Sequence, residues 1–118
     1  MKSQKLIFIA EIGLNHNGNF GLLFELIKQA ALAGADYAKF QLGWRAGNGE
    51  INQLGAEELE LIVRCCGYHS IKPLFSIFTQ DAWSLAQKFN FESFQIPRCY
   101  SVSTSCLSCR VCRLMLFR

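Results

Sequence analysis

The stretch Ile7-Phe8-Ile9-Ala10-Glu11-Ile12-Gly13-Leu14-Asn15-His16-Asn17-Gly18-Asn19 decides the fold. It opens as an apolar run of the kind that forms a buried strand, and a buried strand has little use for a carboxylate. Glu11 stands near the end of that run, just before a loop rich in amides and glycine. Phe20, Leu23, Phe24, Ile27, Ala30 and Ala31 follow at helical spacing, so the order is strand, polar loop, helix. A charged residue at the C-terminal end of a parallel strand sits where barrels and doubly wound sheets build their sites. The pattern returns one unit later at Tyr37-Ala38-Lys39-Phe40-Gln41, where a lysine and a glutamine share one face of a strand.

The alternation continues along the chain. Residues 6–12 read as the first strand, Asn19 as the cap of the first helix, and Gly34 as the residue that ends it. A second strand covers about Asp36 to Gln41, and a loop rich in Gly and Asn follows. Ala56 to Tyr68 form a second helix, with Glu57 and Glu58 in its first turn and Leu59, Ile62, Val63 and Cys66 as its buried stripe. Lys72-Pro73 breaks the chain before a third strand, Leu74 to Phe78. Thr79 caps a third helix with the stripe Ala82, Leu85, Ala86 and Phe89, and a fourth strand runs from about Ser93 to Ile96.

Strand and helix alternating with short connections imply parallel strands. The fold class is therefore α/β, the first half of a (β/α)8 TIM-type barrel with about four parallel strands and three helices. A complete barrel takes about 250 residues, and this chain has 118. A doubly wound sheet is the weaker alternative, because no Gly-x-Gly-x-x-Gly turn follows the first strand.

Composition narrows the function. The chain is 51% hydrophobic and carries a net charge of +3, with no dense basic stripe of the kind that binds nucleic acid. No segment reaches the roughly 18 apolar residues of a membrane span. Met1-Lys2-Ser3-Gln4-Lys5 leads into a run interrupted by Glu11, without a cleavage site, so the expected compartment is the cytoplasm.

Ala10 to Gly18, together with Gly34-Ala35-Asp36-Tyr37-Ala38-Lys39-Phe40-Gln41, closely resembles the sialic acid (N-acetylneuraminate) synthase family. The resemblance covers roughly residues 6–97 and is strongest over the first 41. It implies a transferase that condenses phosphoenolpyruvate with an N-acetylated hexosamine in carbohydrate biosynthesis. Glu11 and Lys39 are the catalytic residues it singles out, with Glu11 contacting the sugar and Lys39 phosphoenolpyruvate. Asn15, His16, Gln41 and Ser76 complete the substrate-binding set. For the intact family enzyme it further implies a divalent metal, Mn or Mg, and a homodimer. The family's metal-binding histidines lie on later strands, so no metal ligand is assigned in this chain.

The chain departs from the family in two places. Family members commonly follow Phe-Ser with Thr-Pro, whereas the third strand here reads Phe75-Ser76-Ile77-Phe78-Thr79. Near the fourth strand a family lysine that binds phosphoenolpyruvate is replaced by Gln95, whose neutral amide does not supply the same charge.

Residues 1–97 thus read as a partial barrel domain and residues 98–118 as a tail of different character. Four of the six cysteines crowd into that tail. Cys106, Cys109 and Cys112 open an iron–sulfur-type run, but position 116 is Leu116 where the next cysteine belongs. A disturbed reading frame after about Pro97 would account for the shift and for the loss of the resemblance there. The expectation is a synthase fragment without activity by itself. Two alternatives stand beside it, an inactive half-barrel acting as an assembly partner and a small Cys-rich metal-binding module.

Overall fold

The computed structural model describes residues 4–44, 49–89 and, for the backbone, 94–95. Four strands and three helices alternate strictly: β1 Ile9–Gly13, α1 Phe20–Leu32, β2 Tyr37–Leu42, α2 Ala56–Tyr68, β3 Lys72–Ile77, α3 Gln80–Gln87 and β4 Phe94–Gln95. The strands form one sheet in the order β1-β2-β3-β4, and every neighbouring pair is parallel. This is the expected half-barrel of four parallel strands and three helices.

The helix ends are written in the sequence. The Asn19 side chain accepts from the Leu22 N–H at 3.0 Å, and Thr79 accepts from the Ala82 N–H at 3.1 Å. At α2 the cap residue is Gly55, and the Glu58 side chain reaches back to accept from its N–H at 2.9 Å. α1 ends at Gly34, which adopts φ +84° and donates to the Ala31 carbonyl.

The core lies between one face of the sheet and the helices. Ala38, Phe40 and Leu42 of β2 alternate inward with Phe75 and Ile77 of β3, and Ile12 joins them from β1. Leu23, Ile27 and Ala30 of α1, Leu59, Ile62 and Cys66 of α2, and Ala82 and Ala86 of α3 pack onto this layer. Phe40 and Phe75 are directly in register, with ring centroids 5.5 Å apart. Val63, Leu85 and Phe89, read as core stripe, are only half-buried.

Three expectations need correction. The first strand is not a buried run: Leu6, Ile7, Phe8 and Ile9 are 50–74% exposed. β1 is an edge strand of the sheet. The first strand also begins later than residue 6, at Ile9. Lys72-Pro73 does not break the chain before β3 but lies inside it, with Pro73 in register with Ala38. The Lys72 N–H donates to the Asp36 carbonyl at 3.2 Å. Alternation along the strand therefore turns the Pro73 nitrogen away from β2, where its missing N–H breaks no bond of that pair.

Of the fourth strand, Phe94–Gln95 is described. The Cys-rich tail, with its iron–sulfur-like spacing, lies outside the described residues. Cys65 and Cys66 are both free thiols, as their adjacency on α2 implies.

Candidate functional site

The face of the sheet opposite the core carries the polar residues. On β2 the half-buried positions Tyr37, Lys39 and Gln41 alternate with the core residues. The register sets Glu11 directly beside Lys39, and Gln41 beside Ser76, which in turn pairs with Gln95. Two rows of polar positions thus cross the sheet, one at mid-strand and one toward the C-terminal ends of the strands. The first is Glu11–Lys39, and the second is Gln41–Ser76–Gln95.

Lys39 and Glu11 form an ion pair, Nζ to Oε2 at 2.6 Å. The lysine side chain is 19% exposed and the carboxylate 52% exposed. Each lies on a strand, so the backbone ladder fixes where the charges meet. The ammonium is largely out of water and the carboxylate is half in it. Removing either partner therefore has a different consequence, and an anion arriving from solvent meets a cation already held in place.

A bulge joins the two rows. β1 and β2 pair regularly up to Glu11–Lys39, then shift so that Gly13 faces Phe40. Gly13 adopts φ +55°, and a Cβ there would stand 3.6 Å from Glu11 Oε1 and 3.7 Å from Gln41 Nε2. The glycine thus lies between the carboxylate and the amide. Sequence reasoning passed over this residue, although a glycine two residues after a strand-end carboxylate is the available signal.

The first loop is built as a series of turns. The Asn15 Nδ2 donates to the Ile12 carbonyl at 2.9 Å, so its amide is engaged with its own turn. His16 is 1% exposed, and its Nδ1 accepts from the Gly18 N–H at 3.2 Å. Burial pushes the His16 pKa below its ordinary value. Of the six site residues read from the sequence, Glu11, Lys39, Gln41 and Ser76 share the sheet face. Ser76 is itself nearly buried, at 4% exposure. Asn15 and His16 stand in the loop above them, with His16 inside it.

The opposite end of the sheet carries a different kind of charge. Asp36, just before β2, accepts from the Phe8 N–H at 2.9 Å and pairs with Lys5 at 3.3 Å. The Phe8 hydrogen bond, and then Lys5, hold its carboxyl below the usual range. This pair ties the N-terminal segment to the sheet at the strand starts, the end of a barrel associated with stability. His69 caps the C-terminus of α2, which leads into the start of β3, so it lies at this same end, away from His16.

Among the described residues no three His, Cys, Asp or Glu side chains come together as a metal-binding group. His16 has its Nδ1 engaged by Gly18, and His69 is at the far end of the sheet. These residues do not fit the divalent metal that the resemblance implies for the intact enzyme. No helix of the described residues is long and apolar enough to cross a membrane.

Comparison with known proteins agrees with this fold. No family model matches the chain. Over 38 residues, 32% of the chain, it is 53% identical to the N,N'-diacetyllegionaminic acid synthase of Campylobacter jejuni. Over 40 residues it is 50% identical to an uncharacterized protein of Methanocaldococcus jannaschii. These matches cover 11% and 12% of the relatives. The fold superimposes on the N-acetylneuraminic acid synthetase of Leptospira borgpetersenii, solved with citrate, with a TM-score of 0.73 and 25% identity. That match covers 81% of this chain and 37% of the other. The spore coat polysaccharide biosynthesis protein SpsE of Bacillus subtilis gives 0.68 and 28%, covering 80% of this chain and 30% of the other. The chain therefore spans about a third of the length of these structures. In sequence and in fold, it resembles the N-terminal part of the barrel of the sialic acid (N-acetylneuraminate) synthases.

Proposed function

We propose that this chain is the substrate-holding N-terminal portion of a nonulosonic (sialic-type) acid synthase that joins phosphoenolpyruvate to an N-acetylated hexosamine. The observation that carries the reading is the Lys39–Glu11 pair at 2.6 Å at mid-strand, with Gln41 one step further along the same face toward the C-terminal end of β2. In this reading Lys39 offers its ammonium to the carboxylate or phosphate of phosphoenolpyruvate. Glu11 and Gln41 receive sugar hydroxyls, the carboxylate as acceptor and the amide as donor or acceptor. Gly13 leaves room for both side chains to face one ligand.

The reaction balances simply. The methylene carbon of phosphoenolpyruvate bonds to the aldehyde carbon of the open-chain sugar, whose oxygen takes a proton. Water adds at the enol carbon, and the C–O bond to phosphate breaks to release inorganic phosphate. The contribution of this chain is orientation, since the sheet fixes the two reactants side by side. No step is assigned to a metal, for which the described residues offer no ligand group. The 118-residue chain is expected to release no phosphate above a no-enzyme control.

The test is a titration of the chain with phosphoenolpyruvate, following the Lys39 side-chain resonances by NMR. Saturable shifts at Lys39 and Gln41 are expected in the unsubstituted chain, with the shift at Gln41 lost in Lys39→Met. Resonances that stay unmoved, or a Gln41 shift that survives Lys39→Met, overturn the reading.

A further inference from the structure

Two buried polar atoms among the described residues lack a hydrogen-bond partner, and they are complementary. One is His16 Nε2, in the loop between β1 and α1. The other is Asn52 Oδ1, in the loop between β2 and α2. His16 Nδ1 accepts from the Gly18 N–H at 3.2 Å, so Nδ1 carries no proton. The neutral ring then carries its proton on Nε2, which makes that atom a donor. Burial disfavours the charged ring, and His16 is 1% exposed.

Asn52 is oriented from its other side. Its backbone N–H and its Nδ2 both donate to Glu50 Oε1, at 3.0 and 3.2 Å. With the nitrogen of the amide committed to Glu50, Oδ1 is left as an acceptor pointing away from that carboxylate. A buried donor and a buried acceptor each cost stability when left without a partner.

The two loops are in contact. A Cβ on Gly18 would stand 2.6 Å from the Ile51 carbonyl oxygen and 3.3 Å from Ile51 Cβ. Gly18 is the residue hydrogen-bonded to His16, and Ile51 is the residue before Asn52. Gly18 has φ +70°, so the approach depends on a residue without a side chain. The orphan donor and the orphan acceptor therefore belong to two loops that touch, each within two residues of the point of contact.

We propose that His16 and Asn52 latch the first strand-to-helix loop onto the second across one bound water, which accepts from the His16 Nε2–H and donates to Asn52 Oδ1. Both are positioning residues. His16 lies five residues beyond Glu11, so the latch holds the segment following the Glu11–Lys39 pair. It also gives the second loop a fixed anchor ahead of α2. The inference stands independently of the substrate reading above.

The experiment is 15N NMR of the histidine side chains in the 118-residue chain, with His69→Gln used to assign the two rings. His16 is expected as the Nε2–H tautomer, with its ring proton protected from exchange. Asn52→Ala should speed exchange of that proton roughly tenfold, as loss of one hydrogen bond implies. Asn52→Asp combined with Glu50→Gln keeps an acceptor at 52 and a hydrogen-bond partner at 50, and should preserve protection while shifting the proton downfield. Gln53→Ala, next in sequence and exposed, should leave the signal unchanged. An Nδ1–H tautomer in the unsubstituted chain overturns the latch. So does an Nε2 proton whose shift and exchange ignore both changes at Asn52.

Discussion

Gly43 and Gly34 have nearly the same backbone, φ +80° and +84°, but opposite surroundings. A Cβ on Gly34 meets nothing within 4 Å. A Cβ on Gly43 would stand 2.6 Å from Thr79 Oγ1 and 2.9 Å from Ala82 Cβ. These are the cap and first turn of α3, whose closing bond is the Ala82 N–H to Thr79 Oγ1 at 3.1 Å. Gly34→Ala therefore carries only the left-handed backbone penalty, about 1 kcal/mol. Gly43→Ala adds the displacement of the Thr79 cap, itself worth about 1 kcal/mol, and pressure on Ala82, for a total of about 2–3 kcal/mol. In urea unfolding followed by circular dichroism, the two midpoints should differ by roughly 0.5–1 M. Thr79→Ala alone should cost about 1 kcal/mol and should add almost nothing to Gly43→Ala, because the cap is already lost. Equal midpoints for the two glycine variants, or full additivity with Thr79→Ala, would refute the proposed packing of the β2 end against α3.

Glu11→Gln leaves a largely buried ammonium without its partner and should destabilise by about 1–2 kcal/mol, whereas Lys39→Met leaves a half-exposed carboxylate and should cost under ~0.5 kcal/mol. Urea midpoints in the reverse order would contradict the exposures of the pair. Because His16 is depressed below its ordinary 6.5, the unfolded chain binds its proton first. Stability should then fall as pH drops from about that value toward the folded pKa, and His16→Gln should flatten that slope in a pH series of melts. Asp36 works on the acid side: its stabilisation is present above the ordinary 3.8 and is lost as pH falls through its lowered value, so Asp36→Asn should remove that part of the acid transition. Burial, with Cys65 adding to it, pushes the Cys66 thiol up to about 12. Peptide mapping after iodoacetamide at pH 8 should therefore find Cys66 unmodified in folded protein and modified in urea; equal labelling of Cys65 and Cys66 in the folded chain would contradict this.

Much of the fold is legible because its signals are local. Asn19, Gly34 and Thr79 mark helix ends through hydrogen bonds to residues within four positions, and the structure uses each of them that way. The period of two in Tyr37–Leu42 sorts Lys39 and Gln41 onto the face away from Ala38, Phe40 and Leu42. What escaped the sequence depends on partners far along the chain. Leu6 to Ile9 read as buried because composition does not say which strand lies at the edge. Pro73 read as a break because its tolerance depends on which way its nitrogen faces, and that is settled by the bond from Lys72 to Asp36. Glu11 and Lys39 were each visible as costly charges, but their 2.6 Å pairing follows from the β1–β2 register. The contact of Gly18 with Ile51 had no pattern to announce it.

The most direct test of the account is the affinity of phosphoenolpyruvate for three versions of the chain, unsubstituted, Glu11→Gln and Lys39→Met, each read from its NMR titration. Glu11 neutralises the ammonium that the substrate anion needs. Removing its charge should therefore tighten binding about fivefold, the equivalent of about 1 kcal/mol for a partly exposed pair, and Lys39→Met should abolish it. Binding that Glu11→Gln weakens, or that Lys39→Met leaves intact, would contradict Lys39 as the anion-holding residue of this sheet.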